Sequence, residues 1–353
     1  MEEKIKNLLK TSKEVIKNCS LENGAIIAAD TDKPYYPKTV TNYRFVWPRD
    51  ASFTICASEL LGIKNIKELF LKWLITRAEH FSESGMLFQR YDTHGRRNMG
   101  ASQYQPDQAG ALLWVLTKTN ENLNKETKEV IKLLADGICK NWGGKHFNID
   151  TYDLWEERRT FPSLEDNFSY TLAACSFGLK KAYEKLGDNK WLKVSQEMKK
   201  TLEEFKGDYY CRLWGKIPDK RIDASVLGLV WPFNILKKDK KLLNSIEIVK
   251  KKLLTEQGIK RYENDEYGGR VENLSYCKKG GGGWPILTFW YIIALSEIGQ
   301  KEESKKIFEK YIRKFEKYIP EQLFDNNIQE SVSPLCWSHS MFIIASEKLG
   351  YLK

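Results

Sequence analysis

Apolar residues along this chain recur mainly with the 3.6-residue period of an amphipathic helix, and only rarely with the two-residue period of a half-buried strand. In residues 301–319, Ile307, Phe308, Tyr311, Ile312, Phe315, Tyr318 and Ile319 fall on one stripe, with lysines and glutamates around the rest of the cylinder. Residues 63–81 repeat the arrangement with Ile66, Leu69, Phe70, Trp73, Leu74 and Ala78. Similar stripes predict helices at 2–18, 50–62, 106–119, 123–141, 166–187, 188–206, 222–236, 240–254, 283–299 and 332–349, which makes twelve in all. Short links such as Gly62, Gly187-Asp188-Asn189 and Gly299-Gln300 join them in pairs, with glycine where a helix C-terminus favours a left-handed residue. Two-residue alternation is confined to short stretches near 23–29, 86–91 and 209–214.

Six helical hairpins without a Pro/Ser-rich linker point to an all-α fold, a closed (α/α)6 barrel forming a single domain over residues 1–353. A two-domain helical solenoid is the alternative, and the hairpins are too dissimilar to count as a sequence repeat. The irregular stretches at 30–49, 82–105, 142–165, 207–221, 255–282 and 320–331 fall between consecutive hairpins. In a closed ring they would all open on one face, and long loops in a compact domain are usually functional.

Composition narrows the function classes. With 42% hydrophobic residues the chain can bury a large core, which excludes a disordered protein. The net charge of +10 is spread along helical surfaces, so a solvated exterior is expected and no nucleic-acid partner. The opening MEEKIKNLLK is too charged for a signal peptide, and no apolar run reaches the roughly 18 residues of a membrane span. Seven scattered cysteines without a CxxC pair read as thiols in a reducing compartment, so a cytoplasmic location and no membrane partner are expected. The four histidines have no ligand spacing, so neither a metal nor a cofactor is expected. The 11 Trp and 17 Tyr are a heavy aromatic load, and several stand beside charged residues in the predicted loops. That pairing suits a sugar, whose C–H face stacks on rings while its hydroxyls need charged or amide partners.

Five clusters carry candidate chemistry. In Tyr43-Arg44-Phe45-Val46-Trp47-Pro48-Arg49-Asp50, a guanidinium and a carboxylate can grip adjacent sugar hydroxyls, or Asp50 can simply cap the next helix. In Asp153-Leu154-Trp155-Glu156-Glu157-Arg158-Arg159, stacking by Trp155 and repulsion from Glu157 would each raise the pKa of Glu156, as a general acid needs. The alternative there is an ion-pair cluster with the two arginines. The third cluster is Arg261-Tyr262-Glu263-Asn264-Asp265-Glu266-Tyr267 followed by Gly280 to Gly283, Trp284 and Pro285; no GK[ST] follows the glycines, so they are no phosphate loop. The fourth is Pro320-Glu321-Gln322 with Pro334-Leu335-Cys336-Trp337-Ser338-His339, where Glu321 is either a base or a solvated loop carboxylate. The fifth, Tyr104-Gln105-Pro106-Asp107-Gln108, opens a helix, and Asp107 there is either a ligand of substrate or a helix cap. Glu156 and Glu321, in different loops on one predicted face, form the carboxylate pair that glycoside hydrolysis requires.

In order, from Asn23-Gly24-Ala25-Ile26-Ile27-Ala28 to Trp337-Ser338-His339, these segments resemble the glucoamylase family, glycoside hydrolase family 15. The resemblance implies an (α/α)6 barrel and inverting, exo-acting hydrolysis of α-1,4-linked malto-oligosaccharides to β-D-glucose. By position it implies Glu156 as general acid and Glu321 as the base that activates water. Arg49 and Asp50 would hold the non-reducing-end glucose beside Trp47, and Tyr43 would lie near the attacking water. Glu157 would bind the leaving sugar and Arg261 both sugars, with Leu154, Trp155, Trp284 and Trp337 as pocket walls and Asp107 as a further contact.

The chain departs from the family in places. Gln108 stands where a glycine is usual, Arg158-Arg159 would lower the pKa of Glu156 unless both point away, and a longer loop near 268–283 separates Arg261 from Trp284. The chain is expected to lack a preceding β-sandwich and a starch-binding module, which favours short soluble oligosaccharides. Other outcomes are an α-1,6-glucosidase or trehalase of the same family, a non-catalytic sugar-binding barrel, or an α/α-toroid enzyme acting on acidic sugars.

Overall fold

The computed structural model describes residues 1–97, 103–118, 122–236, 239–269, 280–326 and 328–352. Among these, eleven α-helices of twelve or more residues carry the fold: α1 (Glu2–Cys19), α2 (Pro48–Leu60), α3 (Ile66–Arg77), α5 (Pro106–Thr117), α6 (Lys125–Asn141), α7 (Ser169–Leu186), α8 (Asn189–Glu203), α9 (Lys240–Leu253), α10 (Pro285–Glu297), α11 (Lys301–Ile312) and α12 (Cys336–Lys348). A single turn, α4 (Phe81–Ser84), follows α3. None of the described helices is long and apolar enough to cross a membrane. The six described cysteines are buried free thiols, and Cys277 lies outside the described residues.

One of the twelve expected helices takes a different form. Residues 222–236 hold a 3₁₀ helix (Ala224–Leu229) followed by turns. Pro232 has no N–H to donate and restricts the residue before it, so an α-helix cannot run through this stretch. The expected strands at 23–29 and 86–91 are only isolated bridges, such as Ser20 with Ile26 and Phe88 with Tyr104. Near 209–214 only Leu213–Trp214 forms a strand, paired antiparallel with Asn167–Phe168.

Contacts order the elements into two rings. α2, α5, α7, the 3₁₀ helix, α10 and α12 touch in cyclic sequence, and α12 closes back on α2. Around them, α1 lies on α12, α6 on α5, α8 on α7, α9 on the 3₁₀ helix and α11 on α10. This is the six-hairpin barrel. Inner helices bury most of their surface because both ring neighbours and an outer helix cover them; every residue of α5 is buried. Outer helices bury one stripe, which in α11 is Ser304, Phe308, Tyr311 and Ile312.

Two glycines let α5 and α7 cross closely. A Cβ on Gly110 of α5 would stand 2.4 Å from the carbonyl carbon of Ala174 on α7, and one on Gly178 would be 2.8 Å from Cβ of Leu113. The barrel axis is filled by aromatic rings. Phe53 has ring centroids of Trp114, Trp337 and Trp290 at 5.2, 5.3 and 5.7 Å. A cavity that enters from the loop end therefore stops at Trp337 and does not run through the ring.

Candidate active site

In two inner helices, α2 and α10, the residue before the opening proline faces a common space. The residue before a proline is pushed into an extended conformation. Trp47 before Pro48 (φ −103°, ψ 112°) and Trp284 before Pro285 (φ −97°, ψ 117°) adopt it, and both line the same cavity. That cavity spans about 670 Å³, the solvent space at its open mouth included. Its walls include Tyr43, Trp47, Arg49, Asp50, Leu154, Trp155, Glu156, Glu157, Arg261, Trp284, Glu321 and Trp337, which brings together every expected site residue but one. Ala28, Tyr267 and Leu335 complete the lining.

The exception is Asp107. It is fully buried in the first turn of α5 and does not line the cavity; its Oδ2 lies 3.4 Å from Arg49 Nη1. An expected contact of the sugar is thus placed as a counter-ion behind Arg49. Burial lifts its carboxyl to about 6 against the pull of that guanidinium.

Arg49 is the electrostatic centre of the cavity floor. Its guanidinium is 3.3 Å from Asp50 and 4.0 Å from Glu156, and sits 5.2 Å from the Trp337 ring centroid. Asp50 is raised to about 7, chiefly by burial and further by Glu156, with Arg49 opposing both.

Glu156 projects from a turn between the short strands Thr151–Tyr152 and Arg159–Thr160. Its φ of 65° lies in the left-handed region, a strained backbone for a residue with a Cβ and one that collects at functional sites. Asp153 builds the turn. Its carbonyl accepts from Glu156 N at 3.1 Å, and its Oδ1 accepts from Glu157 N and Arg158 N at 2.9 and 3.1 Å. Trp47 Nε1 donates to Glu156 Oε1 and Gln89 Nε2 to Oε2. With 19% of its side chain exposed, Glu156 still has its carboxyl pKa raised by burial, against Arg49, Gln89, Trp47 and Arg90.

This differs from the expected cause. Glu157 turns aside to accept from Arg261 Nη2 at 2.7 Å and from the Tyr262 hydroxyl. The Trp155 indole donates to Asp223, at 2.9 Å from Oδ2. The two arginines that threatened to lower the Glu156 pKa are engaged elsewhere: Arg158 lies 3.4 Å from Asp219, and Arg159 donates to the Tyr152 hydroxyl.

Glu321, 4% exposed, comes from the segment between α11 and α12. Its backbone N donates to Val332 O at 2.8 Å, and its Oε1 accepts from the Tyr43 hydroxyl at 3.0 Å. Tyr43 also lies 3.1 Å from the Tyr267 hydroxyl. Arg261 is clamped by Asp265 at 2.9 and 2.7 Å, with Trp155, Tyr267 and Trp284 rings around its guanidinium. Most of the longer loop near 268–283, residues 270–279, lies outside the described residues.

Sequence reasoning missed several residues that shape the site. From a stretch read only as a short strand, Gln89 donates to the Glu156 carboxyl and Arg90, over the Trp47 ring, acts on it through its charge. Arg212, buried, ties Asp153 to Asp223 under the acid-bearing turn. None has a local signature. Only Tyr267, inside the Arg261 cluster and preceded by Asp265 and Glu266, carried a signal that could have singled it out.

The profile of Glycosyl hydrolases family 15 matches residues 3–336. An uncharacterized glycosyl hydrolase of Methanocaldococcus jannaschii is 28% identical over 363 aligned positions, covering 92% of this chain and 52% of that protein. A trehalase of Mycobacterium tuberculosis is 23% identical, covering 82% of this chain and 46% of its own length. The chain thus spans about half the length of the curated relatives it matches. Among solved structures, a glycosidase variant in complex with glucose superposes with a TM-score of 0.80 at 20% identity, over 100% of this chain and 98% of the other. A bacterial glucoamylase complexed with acarbose gives 0.69 at 21% identity, over 97% and 55%. At such identities the structural likeness carries the fold.

Proposed function

The chain belongs to glycosyl hydrolases family 15, and from that premise we propose that it hydrolyses α-glucosides from the non-reducing end with inversion of configuration. Its foremost substrates are α-1,4-linked malto-oligosaccharides, and the product is β-D-glucose. The observation that carries this reading is a single cavity, walled by both Glu156 and Glu321 and lined by Arg49, Asp50 and Trp337, with Phe53, Trp114 and Trp290 packed behind Trp337. A closed floor admits one chain end, which is the geometry of exo attack.

The terminal glucose stacks on the Trp337 side, with hydroxyls toward Arg49 and Asp50. Glu156 is the general acid: burial keeps its carboxyl protonated to higher pH than a solvated glutamate, so it can deliver a proton to the glycosidic oxygen. Glu321 is the general base, its carboxylate orientation fixed by the Tyr43 hydroxyl, and it takes a proton from the water that attacks the anomeric carbon. Glu157 and Arg261, paired to each other, hold the leaving sugar among Trp155, Tyr267 and Trp284.

The similarity to a trehalase favours one second reading, with trehalose in place of the malto-oligosaccharide. Incubation with maltopentaose labelled at its reducing end, with isomaltotriose and with trehalose separates these readings. Stepwise loss of single glucoses from the unlabelled end supports the exo α-1,4 assignment. Consumption of trehalose alone replaces it with the trehalase reading, and internal fragments would overturn exo action.

A further inference from the structure

The contacts around the Glu156 carboxyl include a group of amides, half-buried Gln89 with buried Gln105 and Gln108 behind it, to which none of the roles above gives a task. Gln89 donates directly to Oε2, and its own backbone is clamped on both sides: its N donates to Gln103 O at 3.0 Å, and its O accepts from Gln108 Nε2 at 3.1 Å. Gln108 is fully buried at the start of α5. Its Oε1 accepts from the backbone N of Arg49 at 3.1 Å, and its Nε2 also reaches Phe88 O at 2.7 Å. Gln105 adds a third tie, donating at 2.7 Å to Asp153 O, the same carbonyl that accepts from Glu156 N.

A chain of amides suits this place. Arg49 already faces Asp50, Asp107 and Glu156, so a further charge would disturb the balance, whereas a neutral amide can donate and accept at once. We propose that Gln89, clamped by Gln108, is a positioning residue that fixes the carboxyl group of Glu156 in one orientation at the cavity wall. The assignment rests on the reading of Glu156 as the acid. The sequence gives this chain its own means of doing so, because a glycine at 108 could not reach the Gln89 carbonyl.

The sign of the effect follows from the groups that face Glu156. Trp47, Arg49 and Arg90 favour its ionised form, while burial opposes them, and Asp50 and Tyr43 also face it. The Gln89 N–H acts with the first set, since a donor favours the charged carboxylate. Gln89→Leu removes that donor and should move the Glu156 titration up by about one pH unit. Gln89→Glu should move it further, because two adjacent carboxyls share one proton.

The test is carbon-13 NMR titration of the full chain labelled at glutamate Cδ, with the Glu156 resonance assigned by its loss in Glu156→Gln. Upward shifts in the order wild type, Gln89→Leu, Gln89→Glu are expected. Unchanged titration in both variants overturns the proposal, and one variant suffices if the other does not fold. In parallel, kcat and KM are measured on maltose and α-glucosyl fluoride, whose leaving group needs no acid. A kcat loss for Gln89→Leu on maltose, largely absent on the fluoride and with KM little changed, supports positioning; equal losses on both contradict it. If instead Glu156→Gln impairs both substrates equally, the acid reading itself falls, and the titration still decides the contact.

Discussion

His339, two residues beyond the cavity-lining Trp337, sets an acid limit on the fold. It is fully buried, with Nδ1 2.8 Å from the Ser12 hydroxyl of α1 and Nε2 3.0 Å from the backbone N of Ile319. A backbone N–H can only donate, so Nε2 must be the bare acceptor and the proton sits on Nδ1, toward Ser12. Protonation would set two N–H groups face to face in an apolar site. Burial accordingly holds the imidazole down at about 3, against roughly 6.5 in the unfolded chain. The unfolded state therefore binds more protons between these values, and stability present above about 6.5 is lost as pH falls toward 3. At pH 5 the unfolded imidazole lies about 1.5 units above ambient pH, so His339 alone removes about 2 kcal/mol. Urea unfolding of wild type and His339→Leu at pH 7.5 and 5.0 measures this. The variant should be less stable at both, since Ile319 N–H and Ser12 lose a partner at about 1–3 kcal/mol each. Its loss between the two pH values should be smaller than the wild type's by about 2 kcal/mol. Equal losses in the two proteins would refute a neutral, buried His339.

Other perturbations act on the site and the ring. Glu156→Gln and Glu321→Gln should each lower turnover on maltose by about 10²–10⁴-fold, measured by glucose release. Arg212→Met should cost about 3–5 kcal/mol in urea unfolding, because it strands the buried carboxylates of Asp153 and Asp223. Gly110→Ala should cost about 1–3 kcal/mol, because its methyl group would meet the α7 backbone; an unchanged unfolding midpoint would show that α5 and α7 can part freely. Asp50 has a folded pKa raised by burial to about 7, so its contribution to stability is present at low pH and lost as pH rises toward that value. Asp50→Asn should therefore gain on wild type in thermal melts between pH 5 and pH 8, while losing substrate binding.

The ring of helices was legible because its outer members carry a local signature. The stripe through Phe308, Tyr311 and Ile312 exists only if an outer helix covers an inner one. Where local rules conflicted, the reading went astray: residues 222–236 have a helical stripe, but Pro232 within it breaks the hydrogen-bond ladder. The cavity residues were visible as Trp and charge in loops, since such clusters have no place in a core. Asp107 looked alike, yet its role depends on Arg49 from another helix. Gln89, Arg90, Arg212 and Asp223 were invisible for the same reason. Their partners lie far along the chain, and an amide or guanidinium in a loop says nothing of what it faces once folded.

The central claim is that Glu156 and Glu321 act across one cavity to hydrolyse an α-glucoside with inversion. A proton NMR time course on maltotriose, isomaltotriose and trehalose together tests it most directly, because the anomeric signal of freshly released glucose precedes mutarotation. The expected result is β-glucose appearing first as maltotriose disappears. α-Glucose appearing first, or all three sugars intact beside folded protein, would contradict it.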